Sequence, residues 1–277
     1  SCGGKLSDTG EVESFSVSGT AAEPGMPAPI SASAGDRFIG RELGGCKILS
    51  KIGEGGMGAV YKAHHKRLNR TVAVKIMAAG LFGEVHRKRF LREARAAAGL
   101  DHPNIMVVHD VGEFEGFPYI IMQHIDGKSV GELLDAKGKF DQAEAIRIVM
   151  EAAEALNTAH EHNIIHRDIK PDNIMIMHNG RVKVMDFGLA KQTDTDEMGV
   201  TASGVILGTP LYMSPEQFNA ENLDGRSDIY SLGVTFYHMI TGRPPYSGKT
   251  PYELRDKHMN MPLPSPREYA PDISPQV

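Results

Sequence analysis

The run His166-Arg167-Asp168-Ile169-Lys170-Pro171-Asp172-Asn173 is followed by Asp186-Phe187-Gly188. Together they supply a carboxylate, a cation, an amide and a second carboxylate. Phosphoryl transfer asks for such a set: a base to orient and deprotonate an attacking hydroxyl, a cation to neutralise moving charge, and two hard oxygen ligands for a metal ion. A buried Asp can also be a cap or a turn former. That reading weakens when three acidic or amide residues converge in so short a stretch.

A second group lies upstream. Gly53-Glu54-Gly55-Gly56-Met57-Gly58-Ala59-Val60 has the spacing Gly-x-Gly-x-x-Gly-x-Val, in which missing Cβ atoms let backbone N–H groups approach phosphates. The spacing alone also fits a dinucleotide-binding βαβ unit or a hairpin without a ligand. The following residues separate these readings, because 59–77 read as two strands joined by a polar turn, His64 to Arg70, and not as a helix opening at Gly58. The second strand holds Val72-Ala73-Val74-Lys75, and a lysine in an apolar strand is costly unless it meets an anion. Glu93, on the helical stretch Glu84 to Leu100, is the candidate partner for that ammonium. The plain alternatives are a solvent-facing strand charge and an exposed helix charge.

The elements that must position these groups change along the chain. Strand patterns cover Cys46 to Ile52, Ala59 to Ala63, Thr71 to Met77, Ile105 to Val111 and Tyr119 to Met122, with turn chemistry such as Gly112 and Gly116 between them. One helix interrupts them, His86 to Leu100, with Phe90, Ala94, Ala97 and Ala98 at helical spacing. After about residue 126 the pattern is mostly helical. Asp141 to His162 carries Ala145, Ile148, Val149, Ala152, Leu156 and Ala159 on one stripe, and Arg226 to Thr241 ends at Gly242 before Pro244-Pro245. A small β-rich part and a larger helical part imply two lobes with a cleft between them.

Composition sets the outer limits. The chain has 277 residues, 41% of them hydrophobic, enough for a sizeable core. A net charge of -5 and a pI near 6.2 argue against a strong nucleic-acid footprint. Cys2 and Cys46 alone make no disulfide framework, and no run of roughly 18 apolar residues suggests a membrane span. The expectation is a soluble, cytoplasmic chain. Residues 1–44, rich in Ser, Gly, Ala and Pro, read as a disordered linker. Ser1-Cys2-Gly3-Gly4-Lys5-Leu6 is compatible with the tail of an upstream zinc knuckle, although a lone tail thiol is the simpler reading. The start at Ser1 and the stop at Val277 read as a fragment.

By order and separation these motifs make residues 46 to 275 resemble a eukaryotic-type protein kinase of the Ser/Thr kind found in bacteria, with Ser214-Pro215-Glu216 standing where the family has Ala-Pro-Glu. The resemblance implies an α+β, two-lobed protein-kinase fold, with an N-lobe at 45–125, a C-lobe at 126–277 and the final helices missing. It implies that Lys75, positioned by Glu93, pairs with ATP phosphates beneath the loop Gly53 to Gly58. Asn173 and Asp186 hold Mg²⁺, Asp168 accepts the hydroxyl proton, and Lys170 neutralises the γ-phosphoryl group. The adenine pocket carries over as Ile52, Val60, Ala73 and Met175, with Met122 as gatekeeper and Gln123-His124-Ile125 as hinge; plain core packing is the alternative for each. His166 is assigned to the core, and Asp228 to bonding the backbone of the His-Arg-Asp turn. Lys170 with Gly208-Thr209-Pro210 resembles the Ser/Thr-specific branch, so the partners are ATP and protein Ser or Thr hydroxyls, with no nucleic acid.

Arg167 beside Asp168 marks kinases regulated by phosphorylation of the loop after Gly188. Thr201 or Thr195 is the expected autophosphorylation site, ahead of Thr193 and Ser203, with dimerisation as the route to phosphorylation in trans. Arg167, Lys191 and Arg89 are the expected receivers of the phosphate. In the family an Arg from a later helix pairs with the Glu of Ser-Pro-Glu. Glu216 is therefore expected to be a carboxylate without a partner, at about 3 to 5 kcal/mol if buried. A kinase-fold scaffold without turnover is the alternative, but such relatives usually lose a counterpart of Lys75, Asp168 or Asp186, and all three are present. An oxidoreductase lacks its βαβ unit.

Overall fold

The computed structural model describes residues 36–55, 58–78, 84–187, 210–219 and 223–276, with backbone only at 84–86 and 89. The N-terminal part is built from β1 (Glu42–Leu43), β2 (Cys46–Gly55), β3 (Gly58–His65), β4 (Arg70–Met77), α1 (Glu84–Ala98), β5 (Val108–Phe114) and β6 (Phe117–Gln123). The strands form one antiparallel sheet in the order β1-β2-β3-β4-β6-β5.

Side-chain alternation gives this sheet two apolar faces. Ala59, Tyr61 and Ala63 of β3 and Val72, Val74 and Ile76 of β4 point one way, joining Phe38, Ile48, Phe117 and Ile121. Val60, Ala73, Met77, Ile120 and Met122 point the other way, onto Phe90 and Ala94 of α1. Lys75, two residues from both Ala73 and Met77, shares that second face.

Two boundaries move. The linker expected through residue 44 gives way to folded chain by residue 36: Phe38 and Leu43 are buried, and β1 pairs with β2. Few apolar residues in a Gly- and Ser-rich stretch hide a segment that needs only two of them to dock. The strand expected from Ile105 begins at Val108, and Ile105 instead makes a parallel bridge to Val184. Ala98, expected on the packed face of α1, is exposed.

The second part comprises β7 (Gly127–Ser129), α2 (Val130–Lys137), α3 (Gln142–Glu161), a 3-10 turn Pro171–Asn173, β8 (Ile174–Met177), β9 (Val182–Val184), a 3-10 turn Pro210–Tyr212, α4 (Pro215–Phe218), α5 (Gly225–Thr241) and α6 (Pro251–Asn260). A small sheet, β7-β8-β9, accompanies the helices. The α3 stripe of Ala145, Ile148, Ala152, Ala155, Leu156 and Ala159 is buried against a core shared with Leu232, Met239 and Ile240 of α5. Its small residues let the helices approach closely. Asp141 caps α3 by accepting from the N–H groups of Ala143 and Glu144, and Gly242, at φ 78°, closes α5 in the left-handed region.

The two parts are stitched at 104–106. Val184 donates its N–H to Asn104 O (2.8 Å) and accepts from Met106 N–H (3.0 Å). The Asn104 amide donates to Glu151 Oε2 (2.8 Å) and to Val182 O (2.9 Å). The residues that lead into Asp186 are thereby fixed to both lobes. Among the described residues, no helix is long and apolar enough to cross a membrane.

Candidate active site

Asp168 sits on a loop whose backbone is held from three sides. Arg167 has φ 67° and Asp186 φ 60°, left-handed values that cost roughly 1 to 3 kcal/mol in non-glycine residues and persist only where the surroundings impose them. For Arg167 the imposition is visible: its N–H donates to Asp228 Oδ1 (2.8 Å), and its carbonyl accepts from Gln217 Nε2 (2.8 Å). Asp228, 1% exposed near the start of α5, also accepts from His166 N–H (2.8 Å) and bonds His160 Nε2 (2.7 Å).

His166 is fully buried, as expected of a core residue. Its Nδ1 accepts from Asp168 N–H (3.3 Å), which leaves the proton on Nε2, and Nε2 donates to Met185 O (2.6 Å). Its ring meets Phe187 edge-on at 4.8 Å. The imidazole thus joins the 166–173 stretch to residues 185–187 through packing and hydrogen bonds.

On this frame the functional side chains converge. Lys170 Nζ lies 2.9 Å from Asp168 Oδ2. Asn173 Nδ2 donates to Asp168 O (2.7 Å) and to Asp168 Oδ2 (3.1 Å). Asn173 is brought there by the Pro171–Asn173 turn, and its carbonyl accepts from Met185 N–H (3.0 Å), one residue before Asp186. Across the lobes, Lys75 Nζ lies 2.8 Å from Asp186 Oδ2, with both side chains largely buried. The strand lysine therefore meets an anion, contributed by Asp186. Glu93 is half-buried on α1, one turn from both Phe90 and Ala97.

The donor set suits Mg²⁺. The Asn173 amide nitrogen turns to Asp168, so Asn173 can offer its amide oxygen and Asp186 a carboxylate to a cation; both are hard oxygen donors. Among the described residues no cluster of three or more His, Cys, Asp or Glu offers a rival metal site.

On the nucleotide side, the β-register aligns Val60, Lys75 and Ile120 in one row and Ala73 with Met122 in the next. Val60, Ala73, Met122 and Ile125 join one apolar cluster. Ile52 stands apart, half exposed, at a bulge between Lys51 and Gly53. Met175 lies on β8 opposite Ser129 and Lys183, outside that cluster. Gln123 donates its N–H to Val107 O (2.9 Å), fixing the start of the 123–125 connection. Burial, reinforced by Lys62, keeps the His124 imidazole below its ordinary pKa and neutral at pH 7. Gly53, Glu54 and Gly55 end β2, and Gly58 starts β3 at φ 145°. A Cβ on Gly58 would fall 2.1 Å from Ile76 O, so the hairpin closes only with glycine there.

Gly56, Met57, Gly188, Lys191, Thr209 and the phosphorylation candidates Thr193, Thr195, Thr201 and Ser203 lie outside the described residues, as does the Arg89 side chain. Glu216 departs from expectation. The Ser227 hydroxyl donates to Glu216 Oε1, so the carboxylate has a neutral partner where none was expected.

Residues 46–273 match the protein kinase domain family. The chain belongs to the protein kinase family. Among relatives of this kinase domain, the serine/threonine-protein kinase PknB of Mycolicibacterium smegmatis is 43% identical over 232 residues, 82% of this chain and 37% of the relative. A probable serine/threonine-protein kinase of Streptomyces coelicolor is 40% identical over 243 residues, 86% of this chain and 36% of the relative. PknB of Mycobacterium leprae is 43% identical over 213 residues, 75% and 34%. The chain thus spans little more than a third of the length of these relatives. Within the kinase domain, Gln217 and His160 were missed in the sequence, since neither belongs to a motif. Lys183 was missed too, although Val182-Lys183-Val184 poses the same question as Val74-Lys75-Ile76. It is 6% exposed and donates to Ile105 O (2.8 Å), and burial, then Arg181, lower its pKa.

Proposed function

We propose that this chain is an ATP- and Mg²⁺-dependent protein kinase that transfers the γ-phosphoryl group to Ser or Thr hydroxyls of proteins. The observation that carries the reading is the convergence of Asp168, Lys170 and Asn173 beside the Lys75–Asp186 pair. Relatives named as serine/threonine kinases support the acceptor class.

In this reading Asp168 orients the acceptor hydroxyl through its carboxylate and takes its proton as the new oxygen–phosphorus bond forms and the bond from the γ-phosphorus to the β–γ bridging oxygen breaks, releasing ADP. Lys170, already against Asp168, neutralises charge on the transferred group. Lys75 leaves part of its pairing with Asp186 to bind the α and β phosphates, held in place by Glu93. Asn173 and Asp186 hold Mg²⁺, which when bound screens the phosphate charge. Ile52, Val60, Ala73 and Met175 enclose the purine, Met122 bounds the pocket, and the backbone of Gln123, His124 and Ile125 hydrogen-bonds the base. Gly53 to Gly58 covers the phosphates. Activation proceeds by autophosphorylation in trans on Thr201 or Thr195, with Arg167, Lys191 and Arg89 receiving the phosphate, and the domain works in the cytoplasm.

Labelled-phosphate transfer from ATP to the protein itself and to a generic basic substrate tests the activity. Asp168→Asn is expected to lower kcat about 10²- to 10⁴-fold, and Lys75→Met to abolish detectable labelling. Equal labelling in all three proteins would refute the reading. Mass mapping with and without phosphatase co-expression tests the regulation, and an active enzyme with an unmodified loop would sink it.

A further inference from the structure

Residues 36–43 precede the stretch matched by the kinase family, yet they are folded onto it. Phe38 is 2% exposed and meets Tyr61 and Phe117 edge-on, at 5.8 and 5.4 Å between ring centroids. The Arg37 guanidinium lies over the Phe117 ring at 4.1 Å. Gly40 N–H donates to Ile48 O (2.9 Å), and Ile48 N–H donates to Arg41 O (2.9 Å). Arg41 and Arg37 reach Glu115 at the tip of the β5–β6 hairpin. The segment is a strap across the back of the sheet.

Its one charged side chain that turns inward from this strap, Asp36, reaches both strands of the nucleotide hairpin. The Tyr61 hydroxyl, on β3, donates to the two Asp36 carboxylate oxygens at 3.0 and 2.9 Å. Lys51 Nζ, on β2, lies 3.0 Å from Asp36 Oδ2 and 3.0 Å from Glu54 Oε2. Phe38 N–H donates to Asp36 Oδ1 (3.1 Å). Burial works upward on the Asp36 carboxyl, but the bonds from Lys51, Phe38 N–H and Tyr61 outweigh it and hold the pKa below its ordinary value.

Lys51 and Tyr61 are themselves a cross-strand pair, and their position gives the contact a purpose. The β2–β3 register slips between Ile48 and Ser50 and again between Lys51 and Gly53, each time with one extra residue on β2. Those extra residues, Leu49 and Ile52, are 44% and 50% exposed. A bulge re-aims a strand and weakens the local ladder, so the pairs between two bulges need another tie to keep their register. Asp36 supplies it through Lys51, one residue before Ile52 and two before Gly53.

We propose that Asp36 is a positioning residue for nucleotide binding: it clips Lys51 to Tyr61 and so fixes the bulge that aims Ile52 and the Gly53–Gly55 end of β2 at the nucleotide. The proposal rests on the kinase reading for the identity of that nucleotide. ADP affinity by calorimetry, KM for ATP and amide exchange at residues 52–60 test it. Asp36→Ala should weaken ADP binding and raise KM for ATP about 3- to 10-fold, with a smaller change in kcat and faster exchange at 52–60. Tyr61→Phe, which keeps the ring, should give part of that loss. Glu115→Gln loosens the same strap away from the bulge and should change neither constant.

If Asp36→Ala does not fold, Asp36→Asn keeps an acceptor while dropping the ion pair, and about 2- to 3-fold is expected. Unchanged ADP affinity in a folded Asp36 variant overturns the clip. So does an equal loss in Glu115→Gln, which would reduce the strap to general stabilisation. Wild-type protein that binds ADP but transfers no phosphate sinks the kinase activity while the clip is still decided by binding.

Discussion

Asp228 shows how a residue outside the chemistry governs it. Its two oxygens serve three nitrogens, from His166, Arg167 and His160, at 2.7 to 2.8 Å and 1% exposure. Asn at this position keeps the shape but turns an NH₂ group toward one of those donors. Asp228→Asn is expected to cost about 1 to 3 kcal/mol in denaturant unfolding, because a buried donor loses its acceptor. Arg167 at φ 67° is then less firmly held, and Asp168 with it. A fall in kcat of about 10- to 100-fold, with a smaller change in KM for ATP, is the kinetic expectation. A stability loss without a kcat effect would show that the turn holds itself. The motif residues were legible in the sequence because their types are chemically demanding. Gln217 and His160 were not, because any donor at the right place in space would serve.

At the scale of elements, the β2–β3 hairpin depends on a close approach to β4. Gly58→Ala places a methyl 2.1 Å from Ile76 O and 2.9 Å from Met77 Cα at a φ that disfavours Ala. A loss of about 2 to 4 kcal/mol is expected, with a rise in KM for ATP. Gly116 is the control: its φ is 80°, but nothing lies within 4 Å of the added methyl. Gly116→Ala should cost about 1 kcal/mol of strain and leave KM for ATP unchanged, and equal kinetic effects from both would contradict the steric argument. Period-2 and period-3.6 patterns located β2 to β6 and the three longest helices, α1, α3 and α5, because each buries one face. They misplaced the start of β5, because Ile105 is buried through a bridge to Val184 and not through a ladder.

At the scale of the molecule, α4, α5 and α6 meet around His258, which is 6% exposed on α6. The Tyr230 hydroxyl bonds its Nδ1 at 2.8 Å, and the rings of Phe218, Tyr230 and Tyr246 surround it. Burial lowers its pKa from 6.5 to about 4, with a backbone contact to Leu211 working the other way. The unfolded chain therefore binds a proton that the folded one refuses between about pH 6.5 and 4. Stability is complete above that window and is lost as pH falls through it, by about 1 to 3 kcal/mol from this residue. Denaturant unfolding at pH 7.5, 6 and 5 should show a steeper decline for the wild type than for His258→Gln. Parallel curves would remove His258 from the account.

The sequence by itself determined the reaction class expected of the family, the two-lobed α+β architecture and the identities of Lys75, Asp168, Asn173 and Asp186. The lobes follow from local periodicity, and the reaction class and the four residues from motifs whose order and spacing resemble the family's; all of these are written along the chain. Only the tertiary structure decided that Lys75 meets Asp186, that Ser227 satisfies Glu216, that Lys183 is capped by Ile105 O, and that residues 36–43 belong to the fold. Those contacts depend on which side chains meet in space, Lys75 and Asp186 being 111 residues apart, and the others use ordinary hydroxyls, carbonyls and single aromatic rings. Such groups carry no signature until the fold brings them together.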